Sequence, residues 1–373
     1  MSHLHVCLVS DQPIPNLTTV LQFKPEMVIL LKTKEMDEKA RLLEDVLKKK
    51  NYVVQAETIE AYDINNVINV SESLINKCKG CDVSLNITGG TKIGTLGTFQ
   101  AFYTSGKAIY YVDTKDNKIL QISPEQKEIP IEVSISIADY LAVYGFQISD
   151  YVKDDGYIFR RKELTKYLAN TVINNPHLIP AINSALHSYN ENTPLPITVK
   201  LPYDKKLLAL LSLLDGVTVR DKNQVIINDH DSLKYLKGIW FEEYVYMIAK
   251  ALNPDEMRLN VKGRWITRGQ HSPKNEFDVM IAKGNRLFLI SCKTANPDRV
   301  ENDSDEGVGK EFLYELDSLG DRALGLFGKR MLVSSRPVND PAVRERAKIF
   351  KVELIDGKNI LTLKENLQRW LKQ

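Results

Sequence analysis

The stretch "NEFDVMIAKGNRLFLISCKTA", residues 275–295, contains two apolar, strand-like segments with charged side chains inside them. The segments "NEFDVMIA" and "RLFLISCKT" are joined by "KGNR", which predicts a hairpin. Strand side chains alternate between faces, so Glu276 and Asp278 are expected on one face, with Ser291 and Lys293 together on the neighbouring strand. Because uncompensated burial of charge is costly, a metal ion and a substrate are expected to complete this set.

Length and composition describe an ordinary globular protein of two or three domains. The chain has 373 residues, 43% of them hydrophobic and 26% charged, with a net charge of +2, which is too small to indicate nucleic-acid binding by itself. The apolar runs are too short to cross a bilayer, so a cytoplasmic protein without a membrane partner is expected. The four cysteines fit a reducing compartment, and the single "CKGC" pair lacks the second pair that a zinc site requires.

The N-terminal third alternates apolar strand-like runs with amphipathic helices. Continuous Val/Ile/Leu runs joined by helices predict a parallel sheet covered on both faces, as in a Rossmann-like domain. The runs are "HVCLVS" (5–10), "MVILLKT" (27–33), "YVVQAETI" (52–59), "DVSLNIT" (82–88) and "KAIYYVD" (107–113).

Two polar loops follow strands of this sheet, where such folds bind their ligands. "SDQPIPN" (10–16) follows the first strand, and "TGGTK" (88–92) follows the fourth. Gly89 and Gly90 allow close backbone approach, and the next helix offers free N–H groups to a phosphate. Thr91 and Lys92 add a hydroxyl and a positive charge, although Gly-Gly also serves simply as a turn from strand to helix. The loops match neither the P-loop nor the dinucleotide fingerprint.

The middle of the chain is helical and ends in "VTVRDKNQVIIND", which predicts a hairpin. We therefore expect three units: a Rossmann-like domain (1–148), a small helical, winged-helix-like linker (149–230) and a C-terminal domain (231–373). The C-terminal domain opens with the amphipathic helix "GIWFEEYVYMIAKAL" (238–252).

A basic run precedes the hairpin and is interleaved with Trp265. It is either a surface that contacts a nucleic-acid strand or an ordinary solvated hairpin. Its members are Arg258, Lys262, Arg264, Arg268 and Lys274.

The hairpin resembles the core of the PD-(D/E)XK, restriction-endonuclease-like nucleases. Asp278 matches the first acid and Lys293 the terminal lysine, whereas Ser291 stands where the family has an acid. The missing carboxylate is expected from Glu276 or from Glu242 on the preceding helix. The resemblance implies Mn²⁺ or Mg²⁺ held by Asp278, Glu276 and the backbone carbonyl near Cys292.

In that scheme Lys293 positions the attacking water and offsets charge on the phosphorane. Glu242 orients Lys293 or binds the ion directly. If neither Glu242 nor Glu276 reached the metal, the fold would be that of a decayed nuclease.

The front domain, in turn, is similar to the CARF sensor domains, which bind cyclic oligoadenylates. The combination resembles the CARF–PD-(D/E)XK accessory nucleases of type III CRISPR antiviral defence, which cut single-stranded RNA and DNA or nick supercoiled DNA. It implies a homodimeric endonuclease activated allosterically by cyclic tetra-adenylate, since a ring of four adenylates matches two-fold symmetry. The implied activator pocket comprises Ser10, Asp11, Gln12, Gly89, Gly90, Thr91 and Lys92.

Two alternatives stay open from the sequence. One is a catalytically inactive regulator that senses a nucleotide and binds nucleic acid. The other, a metabolic Rossmann enzyme, is disfavoured because the chain has no dinucleotide fingerprint.

Overall fold

The computed structural model describes residues 2–78, 80–266, 272–299 and 308–372. Its first domain is built on a seven-stranded sheet in the order β3-β2-β1-β4-β5-β6-β7. Helices and strands alternate along its chain as far as β5. Their bounds are β1 His3–Leu8, α1 Ile14–Phe23, β2 Met27–Lys32, α2 Asp37–Lys49, β3 Val53–Thr58, α3 Ile64–Lys77, β4 Asp82–Asn86, α4 Lys92–Thr104, β5 Ala108–Asp113, β6 Lys118–Ser123 and β7 Lys127–Pro130.

The predicted parallel sheet is present in β1 to β5, while β6 and β7 extend it in antiparallel fashion. β1 is buried along nearly its whole length, as a strand covered on both faces must be. β6 instead alternates between buried and half-buried residues, the pattern of a strand covered on one face. Helix α1 was not predicted, because its prolines suggested a loop, yet proline is well tolerated in a first helical turn.

The middle of the chain forms a small helical layer with a three-stranded antiparallel sheet in the order β10-β11-β9. The predicted hairpin is confirmed as β10 and β11. The elements are α5 Ile137–Val143, β8 Phe146–Asp150, α6 Gly156–Arg160, α7 Lys162–Asn174, α8 Leu178–Leu186, β9 Ile197–Lys200, α9 Lys205–Leu210, β10 Val217–Val219, β11 Gln224–Ile227 and α10 His230–Lys234.

The C-terminal domain is built on a six-stranded mixed sheet in the order β16-β15-β14-β13-β12-β8. Its β13–β14 hairpin turns at Gly284 and Asn285, both with φ of 56°, which a tight two-residue hairpin turn requires. The elements are α11 Trp240–Lys250, β12 Glu256–Trp265, β13 Lys274–Lys283, β14 Arg286–Lys293, α12 Val308–Ala323, β15 Lys329–Ser334, α13 Pro341–Ile349, β16 Val352–Asp356 and α14 Leu363–Trp370.

Strand β8 straddles the domain boundary predicted at residue 148 and pairs with β12. The front part of the chain therefore supplies an edge strand to the C-terminal sheet. One face of that sheet packs on α11 and the linker helices, and the other face packs on α12 and elements of the front domain.

A buried histidine in the first strand makes the fold sensitive to acid. His5 is fully buried, with its ring nitrogens 2.7 Å from Ser84 Oγ and 2.9 Å from Thr19 Oγ1. Burial, reinforced by His3, lowers the pKa of His5 from 6.5 to about 3. The imidazole therefore stays neutral in the folded protein while the unfolded chain takes up a proton below pH 6.5.

We predict that the free energy of unfolding falls as the pH drops below 6.5, with His5 contributing about 1.4 kcal/mol per pH unit until its folded pKa is approached. Urea unfolding of the wild type and of His5→Gln between pH 5 and 8 measures this contribution. Equal slopes in the two proteins would contradict it, because all other titrating groups are shared.

Candidate functional site

The site is a fork between two strands. The β13–β14 ladder runs from Lys283 and Arg286 to Val279 and Ile290 and stops there. Beyond it, Asp278 Oδ2 accepts the Cys292 N–H at 2.7 Å and the Ser291 hydroxyl at 3.3 Å. A carboxylate thus takes the place of a backbone partner, and the two strands separate around it.

Regular side-chain alternation is interrupted at this fork. Phe277 packs in the core cluster on the α12 side of the sheet, whereas Val279 packs on the α11 side. The same shift occurs on β12 between Leu259 and Val261, where Asn260 has a left-handed φ of 53°. The pleat therefore reverses between Phe277 and Val279. Simple alternation, which predicted a shared face for Glu276 and Asp278, does not hold across this reversal.

Three carboxylates interact at the fork nevertheless. Burial, followed by the negative charges of Asp278 and Glu276, raises the pKa of Glu242 to about 9. Burial also raises the pKa of Asp278, although Lys293 and the Cys292 N–H act in the opposite direction. Glu242 comes from the first turn of α11 and the other two acids from β13. Crowding of acids in a buried setting favours binding of a cation.

Lys293 approaches this cluster from the α12 side. Its Nζ lies 3.5 Å from Glu315 Oε2 and 5.1 Å from the centre of the Phe312 ring, both on α12. Its positive charge opposes the rise in pKa of both Glu242 and Asp278. The structure thus brings Glu242, Glu276, Asp278 and Lys293 into one electrostatic cluster.

The cluster is not a ready-made metal cage. Among the described residues, no three His, Cys, Asp or Glu side chains are grouped closely enough to hold an ion. Asp278 is bonded to Cys292 N–H, and Glu276 Oε1 lies 3.5 Å from Lys262 Nζ across the strands. The Cys292 thiol is buried and its pKa is raised, so this residue can offer only its backbone oxygen.

The neighbouring Glu243 has a structural role. Its side chain is fully buried and forms an ion pair with Arg161 of the linker, whose guanidinium also lies 4.2 Å from the centre of the Tyr235 ring. Adjacent glutamates on α11 therefore face different surroundings: Glu242 faces the fork, and Glu243 anchors the linker.

The predicted basic surface forms only in part: Lys262, Arg264 and Lys274 line one cleft, whereas Trp265 is not on it. Trp265 is only 2% exposed and packs against Phe146, with Arg322 stacked 4.1 Å from its ring. Beyond Asn260, Trp265 faces the same core cluster as Val261. Arg258 is paired with Glu256, Arg264 is bonded to Gln147, and Arg268 lies outside the described residues.

Two adjoining clefts between the linker and the C-terminal domain reach the fork instead. The larger has a volume of about 820 Å³ and includes Arg160, Asn260, Lys262 and Glu276 in its lining. The smaller, of about 450 Å³, includes Lys237 and Glu242. The clefts share Glu191, Lys234 and Ile239, so they form one continuous approach to the acids.

In the front domain the two predicted loops are in contact. A Cβ placed on Gly89 would lie 2.4 Å from the Leu8 carbonyl oxygen and 2.9 Å from Ser10 Oγ, so only glycine fits. The Thr91 hydroxyl caps α4 by accepting the Gly94 N–H at 3.0 Å. Asp11, Gly90 and Lys92 are exposed beside them.

Two buried asparagines that sequence reasoning missed fix these loops. Asn86 Nδ2 donates to Asn16 Oδ1 at 2.8 Å, and Asn86 Oδ1 accepts the Thr88 N–H at 3.1 Å. Asn16 in turn donates to the Leu8 carbonyl. Both are polar residues at the ends of otherwise apolar segments, and this placement is the sequence pattern that could have indicated their role.

The Gln12 side chain points away from the other activator-loop residues and towards the C-terminal domain. Its Oε1 accepts the Leu326 N–H at 2.8 Å and the Tyr144 hydroxyl at 3.1 Å. Leu326 belongs to the C-terminal domain, so this predicted pocket residue contacts that domain.

Comparison with known families accounts for both ends of the chain. Residues 4–140 match the Card1 CARF domain, and residues 229–373 match the Card1-like endonuclease domain. The chain belongs to the Card1-like CARF endonucleases. The predicted α/β fold class, with an N-terminal CARF domain and a C-terminal nuclease domain, is thereby confirmed.

Solved structures agree with this fold. Protein VC1899 from Vibrio cholerae superposes with a TM-score of 0.86 at 22% identity, covering 99% of this chain and 98% of its own. Can2 from Sulfobacillus thermosulfidooxidans, in complex with cyclic tetra-adenylate, gives 0.79 at 22% identity and 99% of both chains.

A type III CRISPR defence DNA nuclease activated by cyclic oligoadenylate gives a TM-score of 0.60 at 19% identity, covering 91% of this chain and 46% of that one. The Card1-like chain spans about half the length of that nuclease. No curated protein matches the sequence. Within the described ranges, no helix has the length and apolar character needed to span a membrane.

The two adjacent glutamates of the Card1-like protein give a matched pair of variants. We predict that Glu243→Gln lowers the free energy of unfolding by about 3 kcal/mol, because Arg161 is left buried without its partner. Glu242→Gln should leave stability unchanged or raise it in metal-free buffer, because it removes one of three crowded acids. Urea unfolding in EDTA measures both, and equal losses in the two variants would contradict the assignment.

Proposed function

We propose that this Card1-like protein is an endonuclease that is activated allosterically by a cyclic oligoadenylate, namely cyclic tetra-adenylate, and depends on Mn²⁺ or Mg²⁺. Its proposed substrates are single-stranded RNA and DNA, with nicking of supercoiled DNA, in type III CRISPR antiviral defence. The observation that carries the proposal is the fork, where Glu276, Asp278 and Lys293 line one small cavity and Glu242 lies within reach of their charges, in a chain that also has a CARF domain.

The donors at the fork suit a hard divalent cation. Carboxylate and carbonyl oxygens are the ligands that Mg²⁺ and Mn²⁺ prefer, and a cation would offset the burial and the charge repulsion that raise the pKa of Glu242 to about 9. Asp278, Glu276 and the Cys292 backbone oxygen are the proposed ligands, with Glu242 beside them. Binding would require Glu276 to turn away from Lys262, from which it now lies 3.5 Å.

When bound, such an ion polarises the phosphodiester and promotes ionisation of a water molecule. Lys293 supplies an ammonium group that positions the water and offsets negative charge developing on the phosphorus oxygens. Glu242 holds or orients Lys293. Ser291 keeps a structural part, since its hydroxyl donates to Asp278.

The proposed activator site comprises the loops at residues 10–12 and 89–92. Exposed Lys92 opens α4, where unpaired N–H groups and the helix dipole favour a phosphate. Two copies of this domain related by a two-fold axis would match the symmetry of a tetra-adenylate ring, so we propose a homodimer in the cytoplasm. Can2, which superposes along its whole length, was solved with cyclic tetra-adenylate.

Cleavage assays with labelled single-stranded RNA, single-stranded DNA and supercoiled plasmid test this function. In Mn²⁺ the wild type should cut at least one substrate only slowly until cyclic tetra-adenylate is added, and EDTA should abolish cleavage. Asp278→Ala should lose at least about 100-fold in rate, because an oxygen donor of the proposed metal site is gone.

The control is Lys92→Ala, which should remain folded and lose activation while keeping the basal rate. Activator binding without cleavage of any substrate, in the wild type as in Asp278→Ala, would instead support the catalytically inactive regulator. That alternative draws on the serine at position 291, where the family has an acid.

A further inference from the structure

Asn260 lies on β12, the strand next to the one that carries Glu276 and Asp278. Its neighbours Leu259 and Val261 pair with Val279 and Phe277, so Asn260 lies across the ladder from Asp278. It lines the larger cleft together with Lys262 and Glu276. Its position therefore adjoins two of the acids without being part of the motif that identified them.

Two features of Asn260 are unfavourable for folding alone. Its Oδ1 is buried without a hydrogen-bond partner, and such an unsatisfied acceptor costs free energy. Its backbone has φ of 53°, a conformation that glycine adopts more readily. An asparagine here is explained if its side-chain oxygen has a ligand.

We propose that Asn260 donates its amide oxygen to the divalent ion at the fork, as a further ligand beside Asp278 and Glu276. This inference rests on the proposed nuclease function. A neutral amide oxygen is a competent hard ligand, and it adds no repulsion to Glu242, Glu276 and Asp278, which a fourth carboxylate would do.

Calorimetric titration of the full-length protein with Mn²⁺ tests this ligand. Asn260→Gly preserves the left-handed backbone while removing the oxygen, and Asn253→Gly is the matched control at another left-handed asparagine, with φ of 49°. We expect Asn260→Gly to weaken Mn²⁺ binding by at least about tenfold and to lower the cleavage rate, with thermal stability retained. Asn253→Gly should bind Mn²⁺ as the wild type does.

Unchanged Mn²⁺ affinity in Asn260→Gly would overturn the assignment. This holds even if the KM for the nucleic acid rises in that variant, because Asn260 would then contact the substrate and not the ion. Failure of the proposed function looks different, because the wild type itself would then neither bind Mn²⁺ nor cleave.

A second, independent observation concerns how the front loop meets the nuclease domain. The Gln12 amide oxygen accepts hydrogen bonds from Leu326 N–H and from the Tyr144 hydroxyl, at 2.8 and 3.1 Å. Gly325 has φ of +61°, and a Cβ there would lie 2.0 Å from the Tyr144 hydroxyl. The Gln12–Tyr144–Gly325–Leu326 junction, hereafter the Gln12 junction, is therefore closely fitted and specific.

This junction is continuous with the nuclease site through one helix. Leu326 follows the C-terminal end of α12, and the Tyr140 hydroxyl donates to the Leu324 carbonyl at 2.8 Å. Earlier on the same helix, Glu315 and Phe312 lie against Lys293. On the side of the junction that faces the activator loops, Ser10 Oγ accepts the Gln12 N–H at 3.2 Å and lies next to Gly89.

We infer that the Gln12 junction transmits occupancy of the activator loops to Lys293 through α12. This inference also rests on the proposed function. A ligand that changes the geometry of residues 10–12 changes the strength of the Gln12 hydrogen bonds to Leu326 and Tyr144. The protein then binds that ligand with different affinities in two states that differ in the position of α12. Such a difference is what coupling between sites requires.

Tyr144→Phe removes one hydrogen bond of the junction, and Gly325→Ala forces the junction apart. Tyr62→Phe is the matched control, because Tyr62 is 86% exposed. The activation ratio, which is the cleavage rate with cyclic tetra-adenylate divided by the rate without it, should fall by at least about fivefold in both junction variants. Binding of the activator, measured by calorimetry, should persist, and Tyr62→Phe should match the wild type.

An unchanged activation ratio in both folded variants would overturn this route, as would complete loss of activator binding, which would place Tyr144 in the pocket itself. A wild type that is never activated would instead refute the proposed function.

Discussion

The hydrogen bond from the Cys292 N–H to the Asp278 carboxylate is the interaction on which the nuclease half depends. This hydrogen bond takes the place of the backbone pairing that the strands give up beyond Val279 and Ile290. By ending the ladder there, Asp278 creates an opening in the middle of a sheet. Side chains from α11, β12 and α12 can approach that opening from both faces.

The two ends of the chain are joined by a shared hydrophobic core. One cluster contains Cys7 and Leu30 of the front sheet together with Met280 and Leu332 of the C-terminal sheet. Close-packed interiors transmit small displacements, because they do not deform continuously. The sensor half and the nuclease half therefore meet through packed side chains as well as through the hydrogen bonds of Gln12.

Local patterns in the sequence were sufficient for the strands and for the acids and lysine of the hairpin, because both are encoded by neighbouring residues. The pleat reversal at left-handed Asn260 was not predictable from alternation, and Trp265, which was expected on a surface, is buried in the core. The direction of Gln12 depends on Leu326, more than 300 residues away. Contacts of that separation leave no periodic signal.

Strand β8 has a consequence for how such proteins can evolve. It lies between the sensor and the linker in sequence, yet it borders the nuclease sheet, and its Phe146 packs on Trp265. Gene recombination that introduced a foreign sensor at residue 148 would divide this strand and leave the margin of β12 without a partner, a template for aggregation. An exchange of front domains that keeps this pairing must therefore carry β8, residues 146–150, along with the nuclease domain.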